Sequence, residues 1–181
     1  MSFVVTLTGS PSATSRTLQL NEHVRKLLVR DGFEVASLNV RDLPAEDLLF
    51  ARTDSPRLKE ALDLIARADG VVVATPVYKA SYTGVLKVFL DLLPQGGLAK
   101  KVVLPLATGG TLAHVLALDY ALRPVLSTLG AQHVVSGLFL LDKQLERNED
   151  QSLRIEPEAQ QKLESVLAEF TDSLRLHLGA R

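Results

Sequence analysis

Hydroxyl side chains and one arginine are concentrated where the first apolar run of the chain ends. The run FVVTLT, Phe3–Thr8, is followed by Gly9 and by SPSATSRT, residues 10–17. A helix is predicted to begin at the end of this stretch, and a helix N-terminus offers unpaired N–H groups and a positive dipole end to an anion. Hydroxyl and guanidinium groups would add neutral and charged donors. The stretch predicts a phosphate site or, as the alternative, a polar loop that ends in a Ser/Thr helix cap.

Two common phosphate motifs are absent from the sequence. The Gly-Lys-Ser/Thr end of a P-loop does not occur, and no G-x-G-x-x-G follows a predicted strand. A dinucleotide pyrophosphate held in the Rossmann manner is therefore disfavoured. A ligand with a single phosphate fits the pattern better.

A second unusual stretch, TPVYKASYTG, occupies residues 75–84. Pro76 stiffens the turn, Tyr78 and Tyr82 offer ring surfaces, and Lys79 offers a cation. We expect the backbone N–H groups of this turn to face the edge of a flat, polar-edged heterocycle. The alternative is that a hydroxyl of the stretch caps the next helix while the tyrosines only pack.

The third stretch is ATGGTLAH, residues 107–114. Gly109 and Gly110 would let the backbone approach a ligand closely, because glycine has no Cβ. The alternative is a tight turn in which Thr111 caps a helix.

These three stretches follow predicted strands of an α/β sheet. Five runs read as strands, at 3–8, 34–40, 70–74, 102–107 and 133–141, and predicted helices at 17–31, from 55, 84–93, 112–129 and from 157 alternate with them. The alternation predicts one domain, residues 1–181, with a doubly wound, mainly parallel sheet in the order 2-1-3-4-5. In that order strands 1 and 3 flank the switch point and strand 4 is next to strand 3, so all three stretches meet at one edge.

Composition limits the functional classes. The chain has 181 residues, a net charge of −1 and no cysteine, which excludes thiolate chemistry and gives no drive toward nucleic acid. Its four histidines lack metal-ligand spacing, so we expect no metal site. The N-terminal residues do not resemble a signal peptide, and no apolar run is long enough to span a membrane. We therefore expect a soluble, cytoplasmic protein.

Several quoted motifs together resemble the NAD(P)H-dependent FMN reductases. These are GSPSATSR, ATPVYKASYTGVLK, DLLP, VVLPLATGGTLAHVLALDYALRPVL and LGA. The resemblance is strongest to the reductases that serve two-component alkanesulfonate monooxygenases. It covers about residues 3–140 and fades after Leu141, where LERNEDQ, residues 145–151, is interpreted as a solvated loop.

The resemblance implies a flavodoxin-like fold and a set of FMN-binding positions. The phosphate positions are Ser10, Ser15, Arg16 and Thr17. The positions at the flavin ring are Pro76, Val77, Tyr78, Lys79 and Ser81, and those of the third loop are Thr108, Gly109, Gly110 and Thr111. Hydride would pass from NADPH, or alternatively from NADH, to FMN without a catalytic acid or base from the protein. Reduced FMN would then leave for a flavin-dependent monooxygenase that desulfonates organosulfonates.

The predicted helix at 111–130 is apolar on nearly every side, and a helix of this kind is buried. We expect a homodimer or, from the resemblance, a homotetramer. Tyr120 resembles an inserted residue that widens the helix locally, and such bulges occur often at functional sites. The alternative is that Tyr120 is only an interface tyrosine.

Three other functions stay open. The protein could retain FMN and reduce quinones or azo compounds, or it could be a flavin-binding regulatory module. It could also be a flavodoxin-like electron carrier, although such carriers are usually strongly acidic and this chain is not.

Overall fold

The computed structural model describes residues 2–148 and 152–179. A mainly parallel sheet forms its centre, in the order β2-β1-β3-β5-β6, with β7 also paired to β5 and a short antiparallel strand, β4, paired to β3. The strands are β1 Phe3–Thr8, β2 Glu34–Asn39, β3 Gly70–Tyr78, β4 Ser81–Tyr82, β5 Val102–Gly109, β6 His133–Val134 and β7 Leu138–Leu141. The predicted doubly wound order of five parallel strands is confirmed, because β6 and β7 together occupy the fifth place.

Helices cover both faces of this sheet. They are α1 Arg16–Arg30, α2 Ala45–Leu49, α3 Pro56–Arg67, α4 Gly84–Leu90, α5 Arg123–Thr128 and α6 Pro157–Gly179. Apolar residues of α1 and α6 pack on one face, and those of α2, α3, α4 and α5 pack on the other. No helix in the described ranges is both long and apolar enough to cross a membrane.

The central strand β3 confirms the interpretation of its apolar sequence. Val71 and Val73 belong to the core beneath α3 and α4, whereas Val72 and Ala74 belong to the core beneath α1 and α6. Alternate side chains of a strand face opposite sides of the sheet, so a strand covered on both faces is apolar throughout.

The stretch after Ala74 is not the open turn that the sequence suggested. β3 continues through Tyr78, and the chain then reverses into β4, with Val77 paired to Tyr82 and Tyr78 paired to Ser81. The hairpin was missed because Pro76 resembles a turn residue. Its missing N–H does not prevent the residue from pairing in register with Thr108 on β5.

The fifth predicted strand is broken opposite a proline. Val134 pairs with Val103 and Leu138 pairs with Leu106, but the residues between them leave the ladder. Pro105 lies at that point of β5 and has no N–H to donate. A Cβ on Gly137 would lie 3.1 Å from the Pro105 carbonyl oxygen, so the chain approaches the proline closely there.

The predicted helix at 112–129 is also interrupted. It consists of a 3-10 turn at Leu112–His114, a π-helical turn at Leu118–Leu122 and then α5. Tyr120 lies within the π-helical turn, and it is 79% exposed. The predicted local widening at this residue is therefore confirmed.

The segment after Leu141 corrects the prediction of a solvated loop. Residues Leu145–Arg147 form β8, which pairs with β9, Leu153–Ile155, as a separate two-stranded sheet. Leu145 is buried in the core on the α1 side. Residues 149–151 of the predicted loop lie outside the described residues.

Candidate functional site

A cleft of about 390 Å³ lies where β1, β3 and β5 end and α1 begins. Parallel strands bring their carboxyl ends to one edge, and the register places Thr8 beside Ala74 and Pro76 beside Thr108. Predicted residues from all three stretches line the cleft, namely Ser15, Arg16, Thr17, Pro76, Tyr78 and Thr108. The structure thus brings these loops into one site, as the sheet order predicted.

Ser15 is the N-cap of α1. Its Oγ accepts a hydrogen bond of 3.0 Å from the amide of Leu18, and its carbonyl accepts the first helical bond from Gln19. The amides of Arg16 and Thr17 precede that first bond, so they are available at the positive end of the helix dipole. Ser15 therefore does what the capping alternative expected, and its hydroxyl proton remains available to an acceptor in the cleft.

The loop before α1 is shaped by its own hydroxyls. The buried Ser10 Oγ accepts a bond of 3.3 Å from the amide of Ser12, and Ser12 Oγ accepts one of 3.3 Å from the amide of Thr14. Ser12 and Thr14 line the cleft, whereas the lining does not include Ser10. Ser10 shapes the loop, and the neighbouring hydroxyls of Ser12 and Thr14 are available to a ligand.

The loop ends against a close contact with α4. A Cβ built on Gly9 would lie 2.4 Å from the Cβ of Leu86, so only glycine fits there. The buried hydroxyl of Thr83 also donates a hydrogen bond to the carbonyl of Gly9. Thr83 accepts from the amide of Leu86 at 3.1 Å, which makes it the cap of α4. The first and second stretches are thereby joined through one threonine.

Arg16 is fixed by the hairpin formed by β8 and β9. Its Nε donates a hydrogen bond of 3.1 Å to the carbonyl oxygen of Leu145. Arg16 also lines the cleft. The hairpin therefore restrains the rotamers of a cationic side chain beside the N-terminus of α1.

Hydroxyl groups form part of the buried floor of the cleft. Thr17 and Thr108 line the cleft, and their Oγ1 atoms are 2.7 Å apart. Thr8 Oγ1 at the end of β1 and Asn21 Oδ1 on α1 are buried without a hydrogen-bond partner in the described part of the chain. Buried polar groups are usually satisfied, so this region suits a polar ligand or bound water.

The hairpin of β3 and β4 carries the second stretch. At its tip, Lys79 and Ala80 have φ angles of 51° and 63°, a left-handed conformation that non-glycine residues adopt at a cost. Tyr78, just before the tip, is 51% exposed. Antiparallel pairing with Ser81 engages backbone groups that the open-turn interpretation left free.

Burial raises the pKa of Tyr82, the partly buried tyrosine of the same hairpin. Burial disfavours the charged phenolate form. Tyr82 is therefore a neutral hydrogen-bonding group at physiological pH.

Two residues of the third stretch have local structural roles in addition to their predicted place at the site. A Cβ on Gly109 would lie 2.8 Å from Cζ of Phe139, so the packing of Phe139 requires glycine at this position. Thr111 Oγ1 accepts a bond of 3.2 Å from the amide of Ala113, which makes it a cap. Gly110 is exposed, and a Cβ there would lie 3.9 Å from Asp142 Oδ2.

Sequence reasoning missed two charged residues in the cleft. Asp142 follows β7, and Arg147 ends β8, and both line the same cleft as Arg16. The segment was treated as a solvated loop because its charge-rich sequence has no apolar alternation. Arg147 reaches the site as the last residue of the strand that pairs with β9.

The donor set suits a phosphate group. It combines amides at a helix N-terminus, several hydroxyls and two guanidinium groups. The exposed Tyr78, which lines the same cleft, offers a ring surface. Elsewhere in the described ranges, no group of three or more His, Cys, Asp or Glu residues is arranged to hold a metal ion.

Comparison with known proteins gives consistent results. The sequence model for NADPH-dependent FMN reductase matches residues 3–146. FMN reductase (NADPH) of Pseudomonas putida KT2440 is 56% identical over 142 residues, 78% of this chain and 72% of the relative. FMN reductase (NADPH) of Escherichia coli K12 is 48% identical over 171 residues, 94% of this chain and 89% of the relative. The apo crystal structure of the NADH:FMN oxidoreductase EMOB superposes with a TM-score of 0.87 at 44% identity, covering 96% of this chain and 90% of that one.

Proposed function

The chain belongs to the NADPH-dependent FMN reductase family, whose members use NADPH or NADH to reduce FMN, and we propose that it releases its reduced FMN to a partner monooxygenase. The resemblance to reductases of alkanesulfonate systems suggests a partner that desulfonates organosulfonates. FMN is then a substrate as well as a cofactor.

The cleft residues have separate roles in this proposal. The N-terminus of α1, with Ser12, Ser15, Arg16 and Thr17, binds the phosphate of FMN. The hairpin with Tyr78 and its neighbours Pro76, Val77, Lys79 and Ser81 lies along the ring. Bound FMN would supply the redox chemistry as the hydride acceptor. The protein holds and orients both molecules, and we assign no catalytic acid or base.

The observation that carries the release proposal is the contact between β4 and the π-helical turn. The short strand β4 packs against residues Leu118–Leu122. Single π-helical turns within helices often occur at functional sites. The hairpin that would contact the ring also has an unfavourable tip conformation at Lys79 and Ala80. A ring held by a strained hairpin on an irregular helix is expected to exchange readily.

We also propose that a second copy of the chain covers this region. Leu112, Leu116 and Tyr120 are apolar or aromatic residues that are more than half exposed on the segment before α5. Large exposed apolar patches mark interaction sites. A self-interface here forms a homodimer, or a homotetramer if two such dimers associate, and it would place the π-helical turn beside the flavin of each subunit.

Steady-state turnover tests the proposal. The purified protein should oxidise NADPH at a rate that rises with added FMN, and little flavin should remain bound after gel filtration. The same assay with NADH measures the nucleotide preference. A protein that stays stoichiometrically yellow and ignores added FMN would instead be a bound-flavin reductase of quinones or azo compounds, or an electron carrier if NADPH is not oxidised.

A further inference from the structure

We infer that Arg147 of β8 is a second phosphate-binding residue, which together with Arg16 favours FMN over flavins that lack the phosphate. The inference rests on the proposed placement of FMN. Arg147 lies beyond residues 3–146, the part of the chain that matches the family model. It nevertheless lines the same cleft as Ser15, Arg16 and Thr17.

The geometry of the β8–β9 hairpin directs Arg147 toward α1. Side chains two positions apart share one face of a strand. Leu145, two residues before Arg147, is buried in the core on the α1 side, and its carbonyl oxygen accepts the hydrogen bond from Arg16 Nε at 3.1 Å. Both β8 and β9 pack against α1. The two arginines, one on α1 and one on β8, therefore both lie beside the N-terminus of α1.

The charge balance of the cleft supports a phosphate-binding role for Arg147. Three residues of its lining carry formal charge: Arg16, Arg147 and Asp142. Without Arg147 the charges of Arg16 and Asp142 cancel, although a phosphate monoester carries about −1.5 to −2 at neutral pH. Arg147 makes the cleft cationic, and the positive end of the α1 dipole adds to this field.

A pair of arginines on one hairpin provides the test and its control. Arg154 lies on β9 opposite Glu146, so it is on the other face of the hairpin from Arg147. R147Q should raise the FMN dissociation constant about tenfold, the loss expected for one charge-assisted hydrogen bond, while riboflavin binding changes less than about twofold. R154Q should change neither constant. Flavin fluorescence titration measures both constants without NADPH.

Two further measurements separate charge from structure. R147K keeps the charge, so it should recover part of the FMN affinity. Because Arg147 is exposed, the difference between wild type and R147Q should also shrink as salt rises, since charges are screened over about 8 Å at physiological ionic strength. A purely structural defect would weaken riboflavin binding equally and would not depend on salt.

Other outcomes would overturn the inference. Unchanged FMN affinity in R147Q would show that Arg147 does not bind the phosphate. A raised KM for NADPH with an unchanged KM for NADH and unchanged FMN affinity would assign Arg147 to the nucleotide 2′-phosphate instead. Since equilibrium titration requires no turnover, a failure of the flavin-release proposal would leave this result interpretable.

Discussion

Thr17 Oγ1 and Thr108 Oγ1 lie 2.7 Å apart, so one buried hydrogen bond joins the first turn of α1 to the end of β5. The two residues are 91 positions apart in the chain. One belongs to the first predicted loop and the other to the third. The bond fixes two walls of the cleft relative to each other.

Removing one of these hydroxyls should leave the other buried and unpaired. T17V and T108V are each expected to lower the free energy of unfolding by about 1–2 kcal/mol, the cost of an unsatisfied buried hydroxyl. The double variant should lose no more free energy of unfolding than either single variant, because it leaves no buried hydroxyl without a partner. Urea denaturation of the four proteins measures this coupling, and strictly additive losses would show that the two hydroxyls do not depend on each other.

Loss of the Arg16 guanidinium should weaken FMN binding selectively. R16A is expected to weaken FMN binding by about 0.5–3 kcal/mol, the range for neutral to charged hydrogen bonds. The binding of riboflavin, which lacks the phosphate, should change far less. R30A is the matched control, since Arg30 is at the opposite end of α1 and pairs only with Asp31 among the ion pairs of the described chain. If both flavins weaken equally in R16A, Arg16 does not bind the phosphate.

Deletion of Tyr120 should restore a regular helix across residues 118–122. The π-helical turn holds one residue more than an α-helical path requires. The shortened protein is expected to retain more FMN on gel filtration and to transfer less reduced flavin. Y120A keeps the chain length and serves as the control for loss of the ring alone. Free release of FMN from the deletion variant, with an unchanged oligomer by light scattering, would contradict the role given to the bulge.

Protonation of His23 should destabilise the folded protein. Burial lowers the pKa of this α1 histidine, with Lys26 and Arg30 acting in the same direction and Gln160 and Glu164 opposing it. The unfolded chain then binds the proton more tightly, so this contribution to stability is complete above pH of about 6.5 and is lost as pH falls below it.

The comparison of wild type with H23Q isolates this effect. Between pH 7.5 and 5, the free energy of unfolding of wild type should fall more than that of H23Q, as measured by urea denaturation at each pH. Carboxylate titration contributes to both proteins and cancels in the difference. Parallel pH profiles would mean that protonation of His23 in the folded state does not lower the free energy of unfolding.

The interruptions of regular structure were only partly predictable. Pro105 and Gly137 are both visible in the sequence. The break in the fifth strand, however, arises because the two residues lie opposite each other in the folded sheet. The tip at Lys79 and Ala80 contains no glycine, so the sequence lacks the usual signal for a tight hairpin. The π-helical turn at Tyr120, by contrast, was expected from resemblance and is present.

The sequence by itself determined the sheet order and the edge at which the cleft lies. Uninterrupted apolar runs identify strands covered on both faces, and the handedness of crossovers then leaves few topologies. Polar loops after β1, β3 and β5 must meet in such a sheet.

Only the tertiary structure decided which polar side chains share the cleft. Ser15, Arg16, Thr17, Pro76, Tyr78 and Thr108 line it together, and Arg147 reaches it from a charged segment without a sequence signal. Local patterns specify a residue's own element, because hydrogen bonds and side-chain periodicity act over a few positions. The position of the β8–β9 hairpin depends instead on the burial of Leu145 and on its carbonyl bond to Arg16, which are contacts between residues 129 positions apart.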